Sequence, residues 1–571
     1  MSEDLVHDVL ILGAGLAGLR AAVEIARKTN GKADIGIVSK VQLMRAHSVC
    51  AEGGTGAVLR TDEGDSLELH AWDTVKGSDF LADQDVVFRF VETSPKEILQ
   101  LDHWGIPWTR DEHGRIEQRP FGGHSYPRAT LAADKTGFFE MQTLYDTLLR
   151  YPCFKRYDEL FITDILVVDG QFAGMAGIHA PSGEPVTLRG KALVIASGGA
   201  GTLFGFTTYS QSVTGDGLAM AYRAGLPLED MEFIQFHPTG LVPSGILMTE
   251  GCRGEGGYLR NAAGERFMER YAAAKMELAP RDVVSRAEMT EILEGRGFEG
   301  PDGLDYLHLD LTHLGAEKIN KRLPLIREVA MKFVGIDPIE KPVPIRPVAH
   351  YSMGGIETDI NGATRVPGIW VAGEAACVSL HGANRLGSNS TAECLVWGGI
   401  TGGEVADSLS RLPAPPPLAE DRIQSCRQRI EELMSRDGDE NLYALRRELR
   451  ATMDSSFGVF RTGEGLAIAR DKIREIRVRA LRAPVNDKSR VYNSNLFHAL
   501  ELENLIDLAE ASVAGALARQ ESRGAHSRRD YTTRDDDHWL KHTLSWCTEA
   551  EPRLEYKSVA INAWKPVERK Y

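Results

Sequence analysis

The chain has 571 residues, more than one hydrophobic core usually holds, so about three or four folding units are expected. A formal charge of −15 argues against a nucleic-acid partner, which would want a basic face. Hydrophobic residues at 43% and charged residues at 26% fit a soluble globular protein, and no apolar run approaches the ~20 residues of a membrane helix.

The N-terminus, MSEDLVHDVL, is short and acidic and does not read as a signal peptide. A cytoplasmic chain is expected, free to dock onto a membrane partner. Seven cysteines (50, 153, 252, 377, 394, 426 and 547) are scattered without a CxxC pair. Neither a disulfide framework nor a zinc or iron–sulfur site in this chain is expected, so no metal is assigned. Electrons handled here would have to leave for another chain.

Next comes VHDVLILGAGLAGLRAAVEIARKTN, then ADIGIVSK: strand, Gly-rich turn, helix, strand. Gly13, Gly15 and Gly18 form GxGxxG around Ala14. The first two glycines let the backbone turn and approach a pyrophosphate, and the third lets helix and strand pack closely. The second strand ends in Ser39 and Lys40, where an NAD site usually carries an acid for the ribose. A flavin dinucleotide fits better.

KALVIASGGAG and, much later, GIWVAGEAA repeat the pattern of a buried strand ending in a Gly-bearing turn. Three such strands imply one open α/β sheet of Rossmann-like type, assembled from distant parts of the chain. The FAD-binding domain is then expected over 1–236 and 345–411, with an α+β capping domain inserted at 237–344. LPAPPPL (412–418) reads as a joint. Helical periodicity in DRIQSCRQRIEELMSR, NLYALRRELRATM and AIARDKIREIRVRALR predicts a helical domain over 419–525. A polar, charged C-terminal region, 526–571, closes the chain.

MRAHSVCAEGG (44–54) shows no helix or strand pattern. On local sequence alone, a loop histidine bonded to backbone explains His47. Longer motifs change that reading. SKVQLMRAHSVCAEGG, ADKTGF, VTGDG, QFHPTG, LMTEGCRGEGG, ELAPRD, AHYSMGGIETD and HGANRLGSNS occur in order along the chain. Together with SRGAHSRRDYTTRDDDHWLKHT near the end, they resemble the flavoprotein subunit of succinate dehydrogenase/fumarate reductase, most closely the bacterial fumarate-reductase type.

The resemblance implies FAD bonded covalently through its 8α-methyl carbon to His47. It maps further FAD contacts onto Ser39, Lys40, Ser48, Glu52, Gly53, Gly54, Asp216, Glu374, Arg385, Ser390 and the adjoining Thr391. Asp216 and Glu374 follow Gly turns at expected helix starts, where a carboxylate can cap N–H groups and accept sugar hydroxyls. Dicarboxylate binding maps onto His237, Thr249, His350 and Arg385, whose guanidinium can fork onto a carboxylate. Arg281 matches the family's proton-transfer residue, and Glu250 and Arg253 match the relay that recharges it. Residue chemistry alone would have named a histidine instead, since arginine is a poor base. Phe121 matches a residue near the substrate. The inserted domain is expected to close as a lid, carrying Thr249 and Arg281 onto the substrate.

The implied activity is succinate–fumarate interconversion, with electrons leaving to an iron–sulfur subunit and then to quinone at membrane-anchor subunits. The chain would sit peripherally on the cytoplasmic face. The alternative is a soluble L-aspartate oxidase-like flavoenzyme, which shares the substrate set but holds FAD without a bond; His47 discriminates. Three positions depart from the family's usual pattern: Ala46 for Ser, Cys50 for a small inert residue, and Thr391 for Leu. Cys252, beside Arg253, is expected to be thiolate-prone and reactive in an open lid.

Overall fold

The computed structural model describes residues 5–570; residues 1–4, on which the reading of the N-terminus partly rests, lie outside the described residues. The expected first unit is present as β1 (Leu5–Leu12), α1 (Leu16–Lys28) and β2 (Ile35–Ser39). There follow β3 (Phe154–Asp158), β4 (Leu160–Val168), β5 (Gln171–His179), β6 (Glu184–Ile195) and α2 (Asp216–Arg223). Then come β7 (Ile234–Leu241), α3 (Arg281–Leu293), β8 (Val343–Ser352), β9 (Ile369–Val371) and α4 (Asn389–Ser408).

The main sheet runs β3-β2-β1-β6-β5-β4, with β9 also on β6. The three apolar strands from distant parts of the chain, β1, β6 and β9, are parallel neighbours. β6 serves two partners on one side: its first half pairs antiparallel with β5, and its last residues pair with β9. Continuous burial in β2, β9 and the last four residues of β1 is what a parallel sheet covered on both faces requires.

β7 and β8 lie antiparallel and lead the chain into and out of the inserted region. A bulge interrupts their register between His237 and Gly240. The inserted region has its own cluster of buried apolar side chains, including Met248, Leu259, Leu309, Ile326 and Ile345. The two long strands therefore carry side chains at a seam between two cores.

The helices expected after the Pro-rich joint form at Glu420–Ser435, Leu442–Ser456 and Gly463–Ala480. A fourth, Ser494–Ala518, carries no apolar stripe because it is buried on nearly all sides. Buried side chains of these helices, such as Leu445, Ile473 and Leu505, join the core of the main sheet. The C-terminal region is more ordered than its polar composition suggests. Lys541–Trp546 and Arg553–Ser558 complete a sheet begun by Leu228–Glu229, Gly355–Glu357 and Ala376–Cys377. Its polar groups are partly internal: buried His542 Nδ1 lies 2.6 Å from buried Asp230 Oδ2. Among the described residues, no helix is long and apolar enough to cross a membrane.

Candidate active site

A cavity of about 830 Å³ opens at the C-terminal ends of β1, β2 and β6, a size suited to one large cofactor. Ala14, Gly15, Ser39 and Lys40 line it. Gly13 has φ +114°, and a Cβ there would stand 2.1 Å from the Ala196 carbonyl oxygen. Only glycine permits that approach of turn to strand. Gly18 is not on the wall; a Cβ there would meet the Gly13 carbonyl at 2.0 Å, so it serves helix–strand packing. Gly15 is the N-cap residue of α1, whose first turn holds no acidic residue. The positive end of the helix is left for an anion such as a pyrophosphate.

Further along the wall, Lys40 Nζ binds Asp216 Oδ2 at 2.7 Å and Glu501 Oε1 at 2.9 Å. Asp216 opens α2 after Gly215 in the left-handed region, as expected. Ser48 Oγ accepts the Leu16 amide at 3.3 Å, joining the 44–54 segment to the start of α1. That segment is not patternless: Leu43–Arg45 and His47–Cys50 are single 3₁₀ turns, too short to leave a periodic signal. The cradle, the open helix end and the cavity's size all fit FAD.

His47 is half-buried, with its ring on the cavity wall. It stacks on Tyr209 with ring centres 5.0 Å apart. Burial draws its imidazole down to about 4, so it is neutral at physiological pH. Nδ1 accepts the Ser210 amide at 3.4 Å, leaving Nε2 as the ring nitrogen free to react. The Tyr209 hydroxyl donates to Glu374 Oε1, which also accepts the Ser352 amide at 3.0 Å. Burial pushes the Glu374 carboxyl up to about 7.

Ser390 and Thr391 line the cavity from the first turn of α4. The Thr391 hydroxyl donates to the Gly54 carbonyl at 3.1 Å and meets Thr55 Oγ1 at 3.0 Å. The departure from Leu thus ties the helix to the Gly53–Gly54 turn. Cys50 and Glu52 also line the cavity, and burial pushes the Cys50 thiol up, away from thiolate. Ala46 packs as a small apolar side chain against the main core. Gly53 and Gly54 are not on the wall; a Cβ on Gly53 would lie 3.0 Å from the Phe121 ring, so this glycine gives buried Phe121 its room.

Beyond the flavin end, β7 and β8 bring His237 and His350 together. Alternation along β7 puts Gln235 and His237 on one face. His237 and His350 have ring centres 4.9 Å apart. Burial holds both imidazoles well below their ordinary value, so both are neutral. His350 Nδ1 pairs with Thr208 Oγ1 at 2.9 Å, while His237 Nε2 is buried without a partner. Thr249 is buried, its hydroxyl oxygen accepting the Gly251 amide at 3.3 Å.

Gln235 carries the geometry that motif reading passed over. Its Oε1 accepts from Arg281 Nη1 at 3.0 Å and from Arg385 Nη2 at 3.0 Å, aligning two buried guanidiniums. Its Nε2 is pinned by Asn384 Oδ1 at 3.0 Å and the Arg385 carbonyl at 2.6 Å. The one available signal was its place two residues before His237 in QFHPTG. Arg385, expected against both FAD and substrate, does not line the FAD cavity; its guanidinium lies over the Tyr351 ring, which does, at 4.4 Å. Among the described residues, no carboxylate lies within ion-pair distance of Arg385, and its Nε is buried without a partner.

Arg281 Nε binds Glu250 Oε2 at 2.7 Å. Burial draws the Arg281 guanidinium down to about 9, despite the opposing pull of Glu250. Burial pushes the Glu250 carboxyl up, but Arg281, Arg253 and the Gly122 amide outweigh it and hold it at about 2. Arg253 Nη2 lies 3.7 Å from Glu250 Oε1. Arg281, Glu250 and Arg253 are thus contiguous. The expectation for Cys252 fails: it is buried in the inserted region's core, and burial pushes its thiol far up despite the neighbouring arginines. Low dielectric disfavours a thiolate more than two partly screened cations favour it.

Two family models match the chain, an FAD binding domain over residues 8–391 and a fumarate reductase flavoprotein C-terminal domain over residues 446–571. The chain is 46% identical over 583 residues to a fumarate reductase flavoprotein subunit of Mycobacterium tuberculosis, covering 99% of each. It is 43% identical over 582 residues to a succinate dehydrogenase flavoprotein subunit of Rickettsia bellii, covering 98% of this chain and 97% of the other. A solved quinol–fumarate reductase with menaquinol molecules superposes with a TM-score of 0.96 at 44% identity, over 99% of this chain and 100% of that one. Likeness over the whole length, rather than over the dinucleotide fold alone, decides against the aspartate-oxidase alternative. The chain belongs to the fumarate reductase and succinate dehydrogenase flavoprotein subunits, FAD-dependent oxidoreductases that interconvert fumarate and succinate.

Proposed function

We propose that the dicarboxylate binds between Arg385, Thr249 and the His237–His350 pair, and that Arg281 exchanges the proton. The observation that carries this reading is Gln235 holding two buried guanidiniums side by side, one of them without a carboxylate partner. Arg385 forks onto one substrate carboxylate. Neutral His237 and His350, with the Thr249 hydroxyl, bind the other end. Phe121 packs against the bound substrate and helps to exclude water. Bound FAD supplies the hydride for fumarate reduction and accepts it in succinate oxidation. Arg281 gives a proton to the neighbouring substrate carbon, and its guanidinium, drawn down to about 9 by burial, is a better acid than an exposed arginine. Ionised Glu250 passes the replacement proton from Arg253.

His47 is the residue we assign to the covalent FAD link, through Nε2 and the 8α-methyl carbon. A neutral imidazole on the cavity wall supports this, because protonation would remove the nucleophile's lone pair. The solved relative with menaquinol is a quinol–fumarate reductase. By that likeness, electrons leave this chain to an iron–sulfur subunit and exchange with quinone at a membrane-anchor subunit, with this chain peripheral on the cytoplasmic face.

Acid precipitation followed by a denaturing gel tests the link. Flavin fluorescence is expected on the natural chain and is expected to vanish from the band in His47→Ala, whose FAD is expected in the acid supernatant. Free flavin in the acid supernatant of the natural protein would overturn the assignment.

A further inference from the structure

The relay that would recharge Arg281 is sealed from solvent. Arg281 is 6% exposed, Glu250 1% and Arg253 2%. Glu250, held at about 2, has no proton of its own to give at neutral pH. Arg253 Nη1 is committed to the Glu277 carbonyl at 2.5 Å, while its Nε and Nη2 are buried with no hydrogen-bond partner. A relay that stopped at Arg253 would hold no neutral acid inside the sealed site to lend a proton during turnover.

Glu288 lies within the field of Arg253. It lies on α3 seven residues after Arg281, two turns on and on the same face. It is fully buried, and neither carboxyl oxygen has a hydrogen-bond partner. An unpaired buried carboxylate is costly, so such a group keeps its proton. Burial holds Glu288 well above the ordinary carboxylate range, against the pull of Arg253. Arg253 is the charged group whose field pulls Glu288 the other way.

Glu291, one turn further along α3, shows what a structural carboxylate on this helix looks like. It binds Arg270, Arg296, Asn261 and Tyr271, and those bonds hold it far below the usual range. Glu288 has no comparable structural partner.

We propose that Glu288 is the proton store of the relay, the neutral carboxyl that returns a proton to Arg253. The proposal rests on the relay reading given above. In fumarate reduction, Arg281 loses one proton to the substrate carbon and regains one from Arg253 through Glu250. The Glu288 O–H bond then breaks as an Arg253 N–H bond forms, through one bridging water or a change of rotamer. The resulting Glu288 carboxylate, beside the restored Arg253 cation, regains its proton from solvent between turnovers, when the site opens to exchange product for substrate. No electrons move in these steps, and succinate oxidation runs them in reverse.

The test compares Glu288→Gln with Glu250→Gln in the assembled, flavin-loaded complex. It measures kcat and KM for fumarate reduction against pH, malonate affinity, and difference infrared spectra on ligand addition. Glu288→Gln is expected to lower kcat roughly 10²-fold, the low end of what a lost general acid costs, with KM and malonate affinity unchanged. The natural enzyme is expected to lose rate as pH rises through the raised Glu288 value, and the variant to lose that alkaline limb. A protonated-carboxyl C=O band is expected in the natural enzyme and absent from the variant, a readout independent of turnover. If Glu250→Gln is slow while Glu288→Gln keeps the natural rate and pH profile, the store is not Glu288 and the relay stands. If Glu250→Gln itself keeps the natural rate, both proposals fall. Should glutamine at this position unseat the fold, Glu288→Met, similar in length and protonless, is measured in its place, with the same outcomes deciding.

Discussion

Replacing Arg281 with glutamine is expected to lower kcat for fumarate reduction roughly 10³- to 10⁴-fold, the upper range for a positioned proton donor. Malonate affinity is expected to hold within a few fold. The asymmetry follows from Arg281's contacts, which go to Glu250 and Gln235, while Arg385 is the guanidinium left without a carboxylate. Loss of Arg281 has a second effect. Its field is the largest of those holding Glu250 at about 2, so the Glu250 value rises in the variant and the carboxyl begins to take a proton in place of passing one. Steady-state kinetics beside malonate titration separate donor from binder. A variant with near-natural kcat and a raised KM would make Arg281 a substrate anchor and end the proton-donor reading.

The second large effect is expected at Arg385. Arg385→Leu is expected to weaken fumarate and malonate binding roughly 10²- to 10³-fold, the range for removing one partner of a desolvated charge pair. The Gln235 amide then has one guanidinium to align instead of two. Arg385→Lys restores the charge but not the fork, and is expected to fall between the two. Covalent flavin, read by gel fluorescence, is expected to persist in both variants, because Arg385 lies over Tyr351 and not on the FAD cavity wall. Loss of flavin together with loss of binding would mean that Arg385 supports the cofactor after all.

Much of this was legible in the residues. GxGxxG between an apolar strand and an Ala/Leu-rich helix marked the cradle, because the turn's needs are local. The three Gly-terminated strands pointed to one sheet because each ends in an apolar run just before its Gly-bearing turn. What remained hidden depends on partners distant in sequence. Gln235 becomes an aligner only when strand pairing places Tyr351 opposite it and α3 brings Arg281 to it. Glu288 looks like any helical glutamate until burial and its bare oxygens are known. Cys252 misled because neighbouring arginines suggest a thiolate, while the core around it imposes the larger desolvation cost. The Ser494–Ala518 helix escaped notice because a helix buried all round has no stripe to read.

The small sheet that ends the chain also sets an order of events during synthesis. Leu228–Glu229 pairs with Lys541–Trp546, and His542 Nδ1 meets Asp230 Oδ2 at 2.6 Å across 312 residues of sequence. Asp230 is buried, so until that partner arrives its carboxylate has nothing to stand against. A ribosome adding roughly 5–20 residues per second holds the unfinished sheet open for many seconds after residue 230 emerges. β7, and with it Gln235 and His237, follows directly on that unfinished strand. Gln235 and His237 are therefore expected to settle only after the C-terminal strands have been made, which pulse-labelled hydrogen exchange on stalled chains would check.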